Sequence, residues 1–373
     1  MNKDMSPITI VMLCFSLLGA ADLIIGNKLG LGKQFERGFM LLGTMALSMI
    51  GMIVLAPVIA HVLRPAIDVF TKIIPIEPSV IPTMILANDM GGAPLAMEFA
   101  SNEQVGYFNG LIVSSMMGVT ISFTLPFAMG VVPKEKHDSL MLGLLCGIVT
   151  TPIGCLVSGL ICALPLKDLL ASLIPLLIFA VLIAVALFLI PKICLKVFKG
   201  FGFIIKIFII VGLAIGVFEA LTGIDIPYTA PISEGFDICA SAAMVLSGAF
   251  PLVHVLSKLL HKPMGQIGKK VGINTVSTVG LLSMLATSAA AFGNMKDMDE
   301  KGAMLNSAFS VSAAYVFGSH LAFTMSFNPD YVISMIIGKL VAGITSLFVV
   351  ILLYKMMNKK ENNDVIQASN SGV

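Results

Sequence analysis

"IPTMILANDMGGAPLAMEF", residues 81–99, interrupts a chain that is otherwise close to continuous hydrocarbon. Two apolar arms of about nine residues, each half a membrane's worth at ~1.5 Å per residue, flank Asn88-Asp89 and the dipeptide Gly91-Gly92. The glycines supply a turn where unusual dihedrals cost little, and Pro94 suits the first turn of a returning half-helix. Unwound backbone at membrane depth is tolerated only where it lines protein or water. The pattern therefore predicts a re-entrant hairpin whose tip faces a cavity.

The surroundings justify reading these residues in a bilayer. The chain has 373 residues, of which 57% are hydrophobic and 12% charged, and its mean hydropathy is +0.98, outside the balance of a soluble domain. Apolar runs near 7–25, 39–63, 105–131, 139–163, 170–191, 203–222, 238–260, 303–326 and 332–354 are each long enough to cross, a span needing roughly 20 residues. An all-α polytopic membrane protein follows, because backbone in lipid must satisfy its own hydrogen bonds, and a β-barrel would show short alternating segments instead. The first apolar run reads as a retained helix, not a secretory signal. The net charge of +2 offers no basic field for nucleic acid. Six cysteines, at 14, 146, 155, 162, 194 and 239, contain no Cys-x-x-Cys pair and read as buried packing. "GLGK" at 30–33 lacks the first glycine and the Ser or Thr of a phosphate loop. No cofactor and no metal is implied.

The stretches 78–100 and 270–293 are assigned by the positive-inside rule. Basic loops hold Lys28, Lys33 and Arg37; Lys134 and Lys136; Lys192, Lys196, Lys199 and Lys206; Lys258, Lys262, Lys269 and Lys270; and Lys355, Lys359 and Lys360. The loops at 223–237 and 325–331 carry acids and no base. If each uncertain stretch enters and leaves by one side, every strongly basic loop lies inside. Nine crossings, two re-entrant hairpins, an external N-terminus and a cytoplasmic C-terminus follow. The alternative of eleven full spans forces the loop at 26–38 or that at 258–270 outside, against its charge. Residues 357–373, ending "NNDVIQASNSGV", read as a disordered cytoplasmic tail.

An internal repeat fits this topology. "NEQVGYFNG" (102–110) aligns with "DEKGAMLNS" (299–307), pairing Glu103 with Glu300 and Asn109 with Asn306. "MIVLAPVIAHVL" (52–63) is echoed by "AMVLSGAFPLVHVL" (243–256). Five crossings separate the halves, so 1–191 and 192–356 read as inverted-topology repeats with a site where the hairpin tips meet, as in many secondary transporters. Carriers of that build are often dimers, which makes a homodimer the assembly to test.

At the tip Asp89 is the costliest residue, since an Asp at a helix centre loses roughly 2.5–3.5 kcal/mol on insertion scales. Such a residue is by default a functional candidate, although it also suits pinning the turn through backbone N–H groups. No intramembrane Lys or Arg stands as its obvious permanent partner, Lys206 and Lys339 lying near span ends or on another helix. A cationic solute fills that role. The opposing tip "LATSAAAFG" (285–293) offers Thr287 and Ser288. Asn88, Ser319, His320, Asn109 and Asn306 complete the candidate binding set, the two central asparagines fitting helix-to-helix hydrogen bonding equally well. Phe123 and Tyr315 suit packing on an ammonium face, or plain packing.

With these motifs on view, the chain resembles the bacterial ethanolamine permease family found with ethanolamine-utilisation genes. The resemblance is carried by "QFERGFM" (34–40), "LAPVIAHVL" (55–63), "NDMGGAPLA" (88–96), "SSMMG" (114–118), "GIVTTPIGC" (147–155), "MKDMDEKG" (295–302), "NSAFSVSAAYVFG" (306–318) and "IIGKLVAG" (336–343). It implies facilitated ethanolamine uptake across the bacterial inner or plasma membrane, mattering most in acid, with Asp89 as the carboxylate partner of the ammonium. An alkylammonium titrates near ~10.4, so the cation dominates at neutral pH as well. The family pattern tends to Asn-Asn at Thr287-Ser288 and to Asp at Ser319, which leaves a related amino alcohol as a second substrate. A proton- or sodium-coupled carrier, with Asp89 holding the ion, is the competing function. An intramembrane hydrolase is disfavoured, as paired aspartates, Gly-x-Ser-x-Gly and His-Glu-x-x-His are all missing from the spans.

Overall fold

The computed structural model describes residues 6–74 and 76–370, and every regular element among them is helical. Helix α1 (Pro7–Ile24) starts at the Ser6 cap, whose hydroxyl accepts from the Thr9 N–H, and is followed by α2 (Leu31–Met40) and α3 (Leu42–Ile73). The first hairpin comprises α4 (Val80–Thr83) and α5 (Gly92–Phe99). Next come α6 (Glu103–Tyr107), wide π-helical turns over Phe108–Gly118 and Thr120–Thr124, and α7 (Leu125–Val131). Four long helices follow: α8 (His137–Ile161), α9 (Leu166–Leu189), α10 (Pro191–Thr222) and α11 (Ile232–Val271). The second hairpin is α12 (Thr275–Met284) and α13 (Ser288–Gly293). Last are α14 (Glu300–Ala313), α15 (Ser319–Phe327) and α16 (Val332–Asn370).

Eight of the helical stretches are long and apolar enough to cross a bilayer. The outward side chains of α1, α9 and α10 are largely Leu, Ile, Val and Phe, as a lipid-facing surface requires. Inside, α8 packs between α14 and α16. Small residues permit that approach: Gly154 of α8 lies against the Gly338 carbonyl of α16, and the Ser158 hydroxyl donates to Ser334 O at 2.8 Å. Close backbone contact of this kind is the usual glue between helices in lipid, where no hydrophobic effect drives them together.

Three expectations need correction. The run 303–326 is not one continuous helix, because α14 stops at Ala313 and α15 begins at Ser319. The break is made by tertiary hydrogen bonds: Tyr315 N–H donates to Met284 O at 3.0 Å and Phe317 N–H to Leu285 O at 2.8 Å. The supposed loop holding Lys192, Lys196, Lys199 and Lys206 is helical, forming the N-terminal half of α10 behind Pro191. Lysine is a good helix former, and a span of 32 residues can carry a charged end clear of the membrane core. The entering arm of the first hairpin holds a single helical turn, not half a span, before the chain unwinds at Met84.

Candidate functional site

The tip of the first hairpin is built as its glycines suggested. After α4 the chain unwinds, makes one tight turn over Asn88–Met90, and reverses at Gly91, whose φ of +102° is left-handed. Its backbone groups are provided for within the protein, as membrane depth demands. Ala87 N–H donates to Ser122 Oγ at 3.1 Å, the Ser114 hydroxyl donates to Leu86 O, and Gly92 N–H donates to Ala87 O at 2.9 Å. Ser114 and Ser122 both lie on the wide-turned segment after α6, so that segment is the platform on which the tip rests.

The second broken element faces it. At the interruption between α14 and α15, Tyr315 adopts φ +62°, a backbone conformation uncommon for a bulky residue and found where structure over-determines it. Its phenol oxygen lies 2.5 Å from Ser288 Oγ on the second hairpin. The break thus joins the two hairpins.

Between the first tip and this break lies a cavity of about 200 Å³ lined by Ser48, Ala87, Asp89, Met90, Val119, Phe123, Tyr315, Ser319 and His320. Asp89 is the carboxylate on its wall. The Ser319 hydroxyl faces that carboxylate. Tyr315 packs against His320 with ring centres 5.1 Å apart and meets Phe123 edge-on at 6.3 Å. A carboxylate, hydroxyls, an imidazole and aromatic rings therefore converge on one small chamber, the composition of a polar-solute site with an apolar wall.

The other predicted residues distribute differently. Thr287 caps α13, its oxygen accepting from Ala289 N–H, and Ser288 reaches the chamber only through Tyr315. Asn109 and Asn306 are ties: Asn109 Nδ2 donates to Ser79 Oγ at 2.9 Å and Ser172 Oγ at 3.0 Å, and Asn306 Nδ2 donates to Ser277 O and Gly302 O. Asn109→Leu is expected to destabilise by about 1–3 kcal/mol, the range for orphaned buried polar groups, and to leave substrate KM within twofold. Thermal unfolding in detergent alongside uptake kinetics checks both. Asn88 is fully buried with both amide atoms unpartnered. Its side chain is not on the cavity wall.

Lys339, set aside in the sequence as lying near a span end or on another helix, proves to be part of the site's surroundings. It sits inside the apolar part of α16 with none of its surface exposed; its Nζ donates to Ser115 O at 2.6 Å and lies 3.1 Å from His320 Nδ1. Since His320 also lines the chamber, the imidazole links the buried lysine to the wall that bears Asp89.

These features define a multi-pass membrane protein with a charged chamber where two interrupted elements meet. The chain belongs to the family described as ethanolamine utilisation protein, EutH, whose model matches residues 5–353, in agreement with the motifs read above. It is 44% identical over 351 residues to a probable ethanolamine permease EutH of Listeria monocytogenes, covering 94% of each chain. It is 39% identical over 344 residues to the uncharacterized protein YxeR of Bacillus subtilis, covering 91% of this chain and 92% of that one. A probable ethanolamine permease EutH of Salmonella typhimurium is 36% identical over 382 residues, covering 92% and 94%. No solved structure matches the chain.

Proposed function

We propose that this protein is a permease, not an enzyme, that admits a small protonated amino alcohol, ethanolamine foremost, and holds its ammonium at Asp89. The observation that carries the reading is a carboxylate on the wall of a chamber of about 200 Å³ whose other polar groups are neutral. That space equals roughly six waters at ~30 Å³ each, ample for a solute of four heavy atoms. Asp89 would meet the ammonium, Phe123 and Tyr315 its C–H and N–H faces, and Ser319 or His320 its hydroxyl. The names of the Listeria and Salmonella relatives support ethanolamine as the solute.

The same reading places the N-terminus outside and the C-terminus in the cytoplasm of a bacterial inner membrane. It treats 1–191 and 192–356 as inverted halves. The basic segments at the helix ends and the short repeat that pairs Glu103 with Glu300 and Asn109 with Asn306 support it.

Labelled ethanolamine uptake into proteoliposomes from pH 5 to 8 tests the proposal. Protein-dependent equilibration without an ion gradient is expected. Accumulation only under an imposed proton or sodium gradient replaces uniport by a coupled carrier, and uptake no greater than in empty vesicles rejects the permease reading for this solute.

Asn88 gives an independent check on whether the tip moves. A buried amide with no partner is costly in this state, and we infer that it pairs in another state of the transport cycle. Asn88→Leu is expected to keep or raise thermal stability, by about 1–3 kcal/mol, while slowing uptake. Equal losses of stability and uptake would remove that inference.

A further inference from the structure

We propose that Lys339 is a positioning residue that fixes the tautomer of His320, and that the imidazole so fixed makes the chamber select an amino alcohol over the matching alkylamine. The inference rests on the permease reading above. Lysine in the apolar core of α16 is expensive, at roughly 2.5–3.5 kcal/mol on insertion scales, so helix packing alone does not explain it. What an ammonium has that Ser, Asn or water lacks is donors and no acceptor. Held 3.1 Å from His320 Nδ1 and bonded at 2.6 Å to Ser115 O, Lys339 in its ammonium form obliges Nδ1 to accept. The ring proton is then on Nε2, at the far edge of an imidazole that lines the chamber with Asp89.

The chamber so arranged holds an acceptor for an ammonium and a fixed donor for an oxygen. Ethanolamine satisfies both. Ethylamine satisfies Asp89 but leaves Nε2–H facing a methyl group, and sites that bury a donor for a substrate oxygen reject analogues lacking it. Ser115 lies in the wide-turned segment that also carries the hairpin platform, so the same scaffold sets both ends of the site.

The test is the ratio of ethanolamine to ethylamine uptake in proteoliposomes. Wild type is expected to prefer ethanolamine by roughly ten- to hundredfold, as befits one unpaired buried donor. Lys339→Met is expected to bring the ratio towards one, with Asp89-dependent ethylamine uptake retained. A Lys339→Met protein that transports and keeps the wild-type ratio overturns the proposal. A second readout does not require that variant to fold or the solute to be ethanolamine: nitrogen-15 shifts of His320 in the full-length wild type are expected to show the proton on Nε2. A proton on Nδ1 overturns the proposal. Loss of uptake of both amines in wild type, with Nε2–H observed, removes the permease reading and leaves the role of Lys339 standing.

Discussion

Asp89→Asn is expected to lower ethanolamine uptake by roughly 10- to 150-fold while leaving folded yield unchanged. The amide keeps the shape but loses the charge, and a hydrogen bond to a charged group is worth about 1.5–3 kcal/mol. Folding is spared because the tip is held by other groups. Ala87 N–H donates to Ser122, Ser114 donates to Leu86 O, and Gly92 N–H donates to Ala87 O. Removing an acid from membrane depth even favours insertion. Uptake in proteoliposomes, with size-exclusion profile and melting temperature measured on the same preparations, separates the two effects. Uptake within twofold of wild type would take Asp89 out of the site.

Gly92→Ala is expected to abolish transport by a different route, through loss of the folded tip. A methyl there would overlap the Ser114 hydroxyl and come within 2.6 Å of Leu86 O and 2.7 Å of Ala87 O. The carbonyls are backbone, so no change of rotamer relieves them. Overpacking costs about 1–3 kcal/mol when neighbours can shift, and here the neighbours are backbone carbonyls of the hairpin tip itself. Gly43→Ala is the control, because nothing lies within 4 Å of the added carbon. A helical position of that kind tolerates Ala or gains up to about 1 kcal/mol. Thermal melting and uptake should fall together for Gly92→Ala and hold for Gly43→Ala; a Gly92→Ala protein with wild-type melting and uptake would contradict the packing described for the tip.

The hairpin was legible because Asn88-Asp89 and Gly91-Gly92 are chemically out of place in hydrocarbon, and each anomaly has a local cause. The interruption between α14 and α15 was not. "SAAYVFG" (312–318) is apolar with one glycine, and what unwinds it is the pair of carbonyls at Met284 and Leu285, residues distant in the chain. Lys339 was visible and misjudged. It lies several residues inside an apolar run, with Gly338 beside it, a spacing that lets α16 approach α8 closely and so encloses the lysine. Asn109 and Asn306 show the opposite limit. As polar residues at membrane depth they qualify equally as ligands or ties, and the bonds their amide nitrogens make to Ser79, Ser172, Ser277 and Gly302 are visible only in the fold.

Calorimetric titration of ethanolamine into the purified wild-type protein and into Asp89→Asn separates recognition at the chamber from every later step of transport. Saturable binding to wild type that is lost in Asp89→Asn is the expected result. Equal affinity in the two proteins would show that the ammonium is held elsewhere.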